Sequence, residues 1–215
     1  MQFRDRKEAG YLLGQKLLSA TKGPRENWVV EALPRGGVPV GYEVAQVLQI
    51  PLEVFLVRKL GVPGNPELAM GAIASGGTCL INSDVIRDLG IPREFIQIEI
   101  DREKELLHQR EALYGQNPTD FSGKTALLVD DGAATGATMR VAIQALRHQK
   151  ASRIVVALPT MASHIARQLR AEADSVVALI ESDLFASVGQ WYLDFRQTSD
   201  QEVIELLRKS AATRV

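Results

Sequence analysis

The chain has 215 residues, 46% of them hydrophobic, which is enough for one compact core and ordinary for a single α/β domain. A formal net charge of −1 gives no basis for a nucleic-acid surface, though it leaves room for a local basic site that takes a small anion. The single cysteine, Cys79, excludes an intrachain disulfide framework, the charged stretch MQFRDRKEAG is unlike a signal peptide, and no segment approaches the roughly 18 to 20 apolar residues of a membrane helix, so a soluble cytoplasmic protein is expected.

Asp5 to Ala20 carries apolar side chains at Ala9, Leu12, Leu13, Leu17 and Leu18, spaced for an amphipathic helix. WVVEAL (28–33) reads as a strand ended by Pro34 and Gly36-Gly37, and VPVGYEVAQVL (38–48) as a helix. LEVFLVRKL (52–60) reads as a second continuous strand, and GVPGNPE (61–67) as a loop. LAMGAIAS and TCLIN, split by Gly76-Gly77, predict a hairpin. Ser83 to Tyr114 predicts one short and one long helix broken near Gly90-Ile91-Pro92, with the charge run from Glu99 to Glu111 as a solvated face. TALLV (125–129) is a strand, and Met139, Ala142, Ile143 and Leu146 then recur at helical spacing. RIVVALP, a helix over 163–172, and SVVALI extend the alternation. The tail SDLFASVGQWYLDF is irregular, and Ser199 and Glu202 stand at capping-box spacing before a last helix.

Near-continuous apolar strands alternating with helices predict a mainly parallel sheet covered on both faces, with ligands at the carboxyl ends of the strands. Three glycine-containing loops fall there: PRGG, RKLGVPGN and DDGAATGAT. In the last, small residues and two glycines between a buried strand and a helix start suit a phosphate cradle, with hydroxyls from Thr135 and Thr138. Asp130 and Asp131 only accept hydrogen bonds, so they suit a polyol or its metal-bound form; phosphate plus vicinal hydroxyls describes a ribose 5-phosphate. SGKT (122–125) lacks the first glycine of a Walker loop, which Pro118 replaces, and precedes its strand. A hydrolase is not indicated: no G-x-S-x-G is present, His108, His148 and His164 lie on charged helices, and Cys79 reads as a buried hairpin residue.

LLVDDGAATGATM resembles the phosphoribosyl-pyrophosphate (PRPP) signature of type I phosphoribosyltransferases. The resemblance spans about residues 28 to 180 and implies a Rossmann-like fold with a hairpin or mobile loop. It also implies one domain over 1–215, with a small C-terminal hood from about 181 to 215. Asp130 and Asp131 would bind the ribose hydroxyls, and Gly132, Ala133, Ala134, Thr135, Gly136, Ala137 and Thr138 the 5-phosphate. LPRGGVPVG resembles the family's pyrophosphate loop, sometimes marked by a non-proline cis peptide, which would place Arg35, Gly36 and Gly37 on the diphosphate. RKLGVPGNPE resembles the start of the mobile loop in adenine phosphoribosyltransferases, implying roles for Arg58, Lys59 and, in a loose alignment, Glu67.

The implied reaction displaces pyrophosphate from C1 of PRPP by a nitrogenous base, with Mg²⁺ held mainly by PRPP, near Asp130 and Asp131, and no dedicated protein cage. Ala134 stands where hypoxanthine–guanine enzymes carry an aspartate, which points away from 6-oxopurine salvage. Phe185 and Trp191 are the candidates for stacking on the base. The implied partners are PRPP and a nucleobase-like molecule in a homodimer, with no nucleic acid and no membrane. A non-catalytic PRPP-binding regulator is the alternative; such proteins usually add a DNA-binding element that is not seen here.

Overall fold

The computed structural model describes residues 2–21, 23–115 and 119–212, with backbone alone at Pro66 and Glu67. Five parallel strands form the main sheet: β1 (Trp28–Ala32), β2 (Leu52–Val54), β6 (Thr125–Val129), β7 (Arg153–Ala162) and β8 (Ser175–Ser182), in the order β2-β1-β6-β7-β8. Their side chains alternate between two apolar layers, because successive strand residues point to opposite faces. On one face Val29, Ala126, Leu128, Ile154 and Val156 meet α5 (Ala137–His148) and α6 (Ser163–Glu172). On the other, Val30, Ala32, Leu127, Val129 and Val155 meet α1 (Arg6–Ala20), α2 (Gly37–Leu48) and α7 (Asp200–Ala212). Burial on both faces explains the near-continuous apolar strands, and the expected α/β architecture is the one observed.

A second, antiparallel sheet holds β3 (Val57–Val62), β4 (Asn65–Ala74) and β5 (Thr78–Ile81), in the order β3-β4-β5. It packs on α3 (Ser83–Leu89) and α4 (Arg93–Tyr114), the short and long helices expected there. Two expectations change here. The stretch 52–60 is not one strand, because the chain leaves the main sheet after Val54 and joins the second sheet at Val57. Phe55 N–H still donates to Ala32 O at 3.0 Å, whereas Leu56 N–H turns to Ser75 Oγ at 2.9 Å and Leu56 O accepts from Ser75 N–H. The GVPGNPE segment is likewise no open loop: it closes a hairpin at Pro63-Gly64, where Gly64 takes φ 77°.

The strand order reverses between β1 and β6, so the loops leaving these neighbours open side by side at the carboxyl edge. The tail returns to the same edge. Phe3 pairs in parallel with Tyr192, and Phe3 N–H donates to Trp191 O at 2.8 Å. The predicted cap of the last helix is present, with Glu202 N–H donating to Ser199 Oγ at 3.1 Å.

Candidate active site

Leu33 N–H donates to Val129 O at 2.8 Å, which ties the end of β1 to the end of β6. The Pro34–Arg35 peptide bond that follows is cis. A Cβ on Gly36 would lie 2.0 Å from Asp131 Oδ2, and one on Gly37 would lie 2.8 Å from Val129 O and 2.9 Å from Asp130 Cα. A side chain at Gly37 would meet backbone and one at Gly36 would displace the Asp131 carboxylate, so the glycine pair lets the PRGG turn lie against the two aspartates.

Asp130 Oδ1 accepts from Asp131 N–H at 2.8 Å. Burial raises the pKa of Asp130 well above the usual carboxylate value, and the adjacent Asp131 adds to the rise. Asp131 is also raised by burial but is relieved by Arg6, whose Nε donates to Asp131 Oδ2 at 2.8 Å. That ion pair is well covered, with side chains 11% and 13% exposed. Arg6 is itself fixed on two sides: Nη1 donates to Arg196 O at 2.7 Å, and the guanidinium lies 4.0 Å from the Phe195 ring centroid. Tyr192 hydroxyl donates to Asp131 O at 2.6 Å and stacks on Phe195. Burial pushes the Tyr192 phenol up, so it stays a neutral donor.

The loop from Gly132 to Thr138 divides in function. Ala133 is buried and locked to β7, donating from N–H to Thr160 O and accepting from Ala162 N–H, each at 3.1 Å. Its N–H is thus used inside the sheet. Gly136 adopts φ 68° and caps α5; a Cβ there would also lie 2.7 Å from Ile165 Cγ2. Thr135, Ala137 and Thr138 are exposed and Ala134 half-buried around the mouth of that helix, where free N–H groups and the positive dipole end favour an anion.

A cavity of ≈ 200 Å³ opens beside the PRGG turn, with Arg35, Arg58, Arg110 and Thr138 on its polar side and Phe55 and Tyr114 among its apolar walls. Arg58 Nε donates to Glu103 Oε2 on α4, and Arg102 Nη2 lies 3.0 Å from Glu103 Oε1. Glu103 is 4% exposed, so the charge run 99–111 is not uniformly solvated: one of its acids turns inward to hold the arginine. Lys59 is exposed on the next residue of β3, and strand alternation directs it to the face opposite Arg58. The side chain of Glu67 lies outside the described residues.

Phe185 and Trp191 face each other, with ring centroids 5.8 Å apart and planes at 32°. His108, His148 and His164 are exposed, as expected. Cys79 is half-buried, less covered than the sequence suggests, and burial raises its thiol pKa. Sequence reasoning missed Arg6, Tyr192, Arg110 and Asp200. Arg6 and Tyr192 reach Asp131 from 125 and 61 positions away and leave no local pattern, whereas the capping spacing at Ser199 did signal the helix that carries Asp200.

The phosphoribosyl transferase domain model matches residues 63–196, more than half of the chain. The chain belongs to the phosphoribosyl transferase family. The Mycobacterium tuberculosis H37Rv protein named "Putative phosphoribosyl transferase Rv0571c" is 42% identical over 212 residues, covering 97% of this chain and 47% of that protein. The strain CDC 1551 counterpart, "Putative phosphoribosyl transferase MT0597", gives the same figures, so the chain spans about half the length of these relatives. The crystal structure of the Thermus thermophilus protein TT1426 is 39% identical, with a TM-score of 0.85, covering 97% of this chain and 99% of that one. The phosphoribosyl transferase match takes in DDGAATGAT but begins after PRGG, so the pairing of these two loops is a finding of the structure.

Proposed function

We propose that the chain transfers the 5-phosphoribosyl group from PRPP to a nitrogenous base, releasing pyrophosphate, with Mg²⁺ as cofactor. The observation that carries this reading is the contact of the PRGG turn with the paired aspartates, close enough that a Cβ on Gly36 would sit 2.0 Å from Asp131 Oδ2. One end of a donor would lie on the helix mouth at Thr135 to Thr138, its hydroxyls on Asp130 and Asp131, and its diphosphate toward Arg35 and Arg58. Asp131 gives one oxygen to Arg6, and a carboxylate has capacity for several further bonds.

Among the described residues, no group of three or more His, Cys, Asp or Glu side chains could hold a metal. Mg²⁺ keeps several waters and takes one or two carboxylates plus substrate oxygens, a donor set that Asp130 and Asp131 would supply. When bound, the ion would offset charge on the diphosphate. The chain's own work is positioning and electrostatic: Arg35 and Arg58 face the anion, and Gly36 and Gly37 admit it to the backbone. The buried side of the aspartates strengthens each bond they accept. The hood proposed over 181–215 would meet the base, with an outer face of the Phe185–Trp191 pair as the stacking surface. Among the described residues no helix is long and apolar enough to cross a membrane. A cytoplasmic homodimer acting in nucleotide salvage completes the proposal.

The test is PRPP binding followed by turnover with adenine, guanine, xanthine, uracil and orotate. Asp130→Asn with Asp131→Asn is expected to weaken PRPP binding at least tenfold, and unchanged affinity refutes the ribose assignment. Tight binding with no product from any base would favour the regulatory reading.

A further inference from the structure

The last turn of α4 and the first turn of α7 meet at the cavity beside the PRGG turn. Glu103, Leu107, Arg110 and Tyr114 share one face of α4, at the i, i+4, i+7, i+11 spacing that stacks side chains along a helix. Leu107 and Tyr114 are buried on that face, and Glu103 holds Arg58 from it. The same face thus presents Arg110 directly and Arg58 through a buried carboxylate.

Arg110 is itself held. Its Nη1 donates to Asp200 Oδ1 at 2.7 Å and lies 3.0 Å from Tyr114 Oη, while Tyr114 hydroxyl donates to the same Asp200 oxygen at 2.6 Å. Arg35 Nη1 stands 3.8 Å from the other oxygen, Asp200 Oδ2. One carboxylate therefore lies between two guanidiniums that line one cavity with Arg58 and Thr138. Both Arg110 contacts run through Nη1, leaving its remaining donors as a fork for a bidentate anion. The Tyr114 hydrogen bond and the arginine charges hold Asp200 below the usual carboxylate range, and burial keeps Tyr114 a neutral donor.

We propose that Arg110 is a further binding residue for the diphosphate end of the donor, positioned by Asp200 and Tyr114. This rests on the PRPP reading above. Thr138 of the 5-phosphate cradle borders the same cavity, but Arg110 is tied through Asp200 to Arg35 of the PRGG turn, so its effect is assigned to the diphosphate end. A single arginine on a phosphate oxygen is worth a charge-assisted hydrogen bond, roughly a tenfold to hundredfold change in affinity.

The experiment is calorimetric titration of the full chain, with Mg²⁺ present, using inorganic pyrophosphate, ribose 5-phosphate and PRPP. Arg110→Ala is expected to weaken pyrophosphate and PRPP roughly tenfold to a hundredfold while moving ribose 5-phosphate less than about twofold. Asp200→Asn keeps an oxygen acceptor for Arg110 and Tyr114 and is expected to stay within about threefold of the parent, while Asp200→Ala loses pyrophosphate affinity. Arg110→Lys serves where the alanine variant fails to fold, and is expected to lose the bidentate part of the effect. If Arg110→Ala leaves pyrophosphate affinity unchanged, or weakens both end fragments equally, in a protein that binds PRPP, the inference fails and the transferase reading stands. A gain of pyrophosphate affinity in Asp200→Ala would make that carboxylate a competitor and overturn its positioning role. Absence of PRPP binding by the parent chain would remove the transferase reading and this inference together.

Discussion

Replacing Gly36 with alanine places a methyl carbon 2.0 Å from Asp131 Oδ2 and 2.7 Å from Asp131 Cγ. Ordinary contact begins near 3.4 Å, so that oxygen must retreat by about 1.4 Å. The Arg6–Asp131 bond is 2.8 Å long, and a retreat of that size directed away from Nε would break it. A hydrogen bond between charged groups is worth about 1.5–3 kcal/mol, and the guanidinium left behind is only 11% exposed, so about 2 kcal/mol of stability is expected to go. For a chain of 215 residues that corresponds to a fall in Tm of about 4–8 °C by scanning calorimetry. The backbone is not at fault: Gly36 has φ −61° and ψ −32°, where alanine is comfortable and even favoured by about 0.4–1 kcal/mol through the unfolded chain. The decisive assay is a double-mutant cycle. In an Asp131→Ala background the obstructing atoms are absent, and Gly36→Ala is expected to be neutral or slightly stabilising. An equal loss in both backgrounds would refute the steric argument and the close approach on which the site reading rests.

Asp130→Asn is expected to raise the Tm of the ligand-free protein at neutral pH while weakening PRPP. The folded pKa of Asp130 lies above its unfolded value, so the ionised carboxylate destabilises the fold; that penalty is complete above the folded pKa and fades as pH falls toward the unfolded value near ~3.9. The advantage of the variant should shrink on acidification, as Tm measured against pH would show, and a constant gain would contradict the burial argument. Arg6→Ala removes the charge that lowers the pKa of Asp131, so ionisation then needs a higher pH; under the proposed PRPP reading, the pH at which binding strengthens is expected to shift to the alkaline side, as titrations from about pH 5 to 9 would show.

What can be read from the sequence depends on how local its cause is. The strands β1 and β6 and the helix α6 are legible because buried strands and amphipathic helices write their periods into consecutive residues. The break between β2 and β3 is not, since Phe55 and Leu56 are as apolar as the strands they separate, and the chain is diverted by a serine hydroxyl nineteen residues away. Glycine and proline make 61–67 look open, although one turn at Pro63-Gly64 uses them to pair β3 with β4. Within the site, the aspartate pair and its glycine-rich surroundings are legible as chemistry. The groups that make the pair tolerable are not: Arg6 reaches Asp131 across 125 positions and Tyr192 across 61, distances at which no spacing rule operates. Glu103 shows the same limit, because a buried acid and a solvated one are written with the same letter.

The pairing of Phe3 with Tyr192 sets an order in time. Arg6 can meet Asp131 only after the central strands exist, and it is steadied by Arg196 and Phe195, whose segment is made some 190 residues after its own. Contacts of such separation close late, because loop entropy must be met before they return anything. On a ribosome Arg6 would emerge first, the aspartates next, and the segment that fastens the cation after the last strand of the sheet. Until residue 196 is free, the Arg6–Asp131 pair lacks the carbonyl and the ring that steady its guanidinium, so the site would be finished only after the strands that carry it.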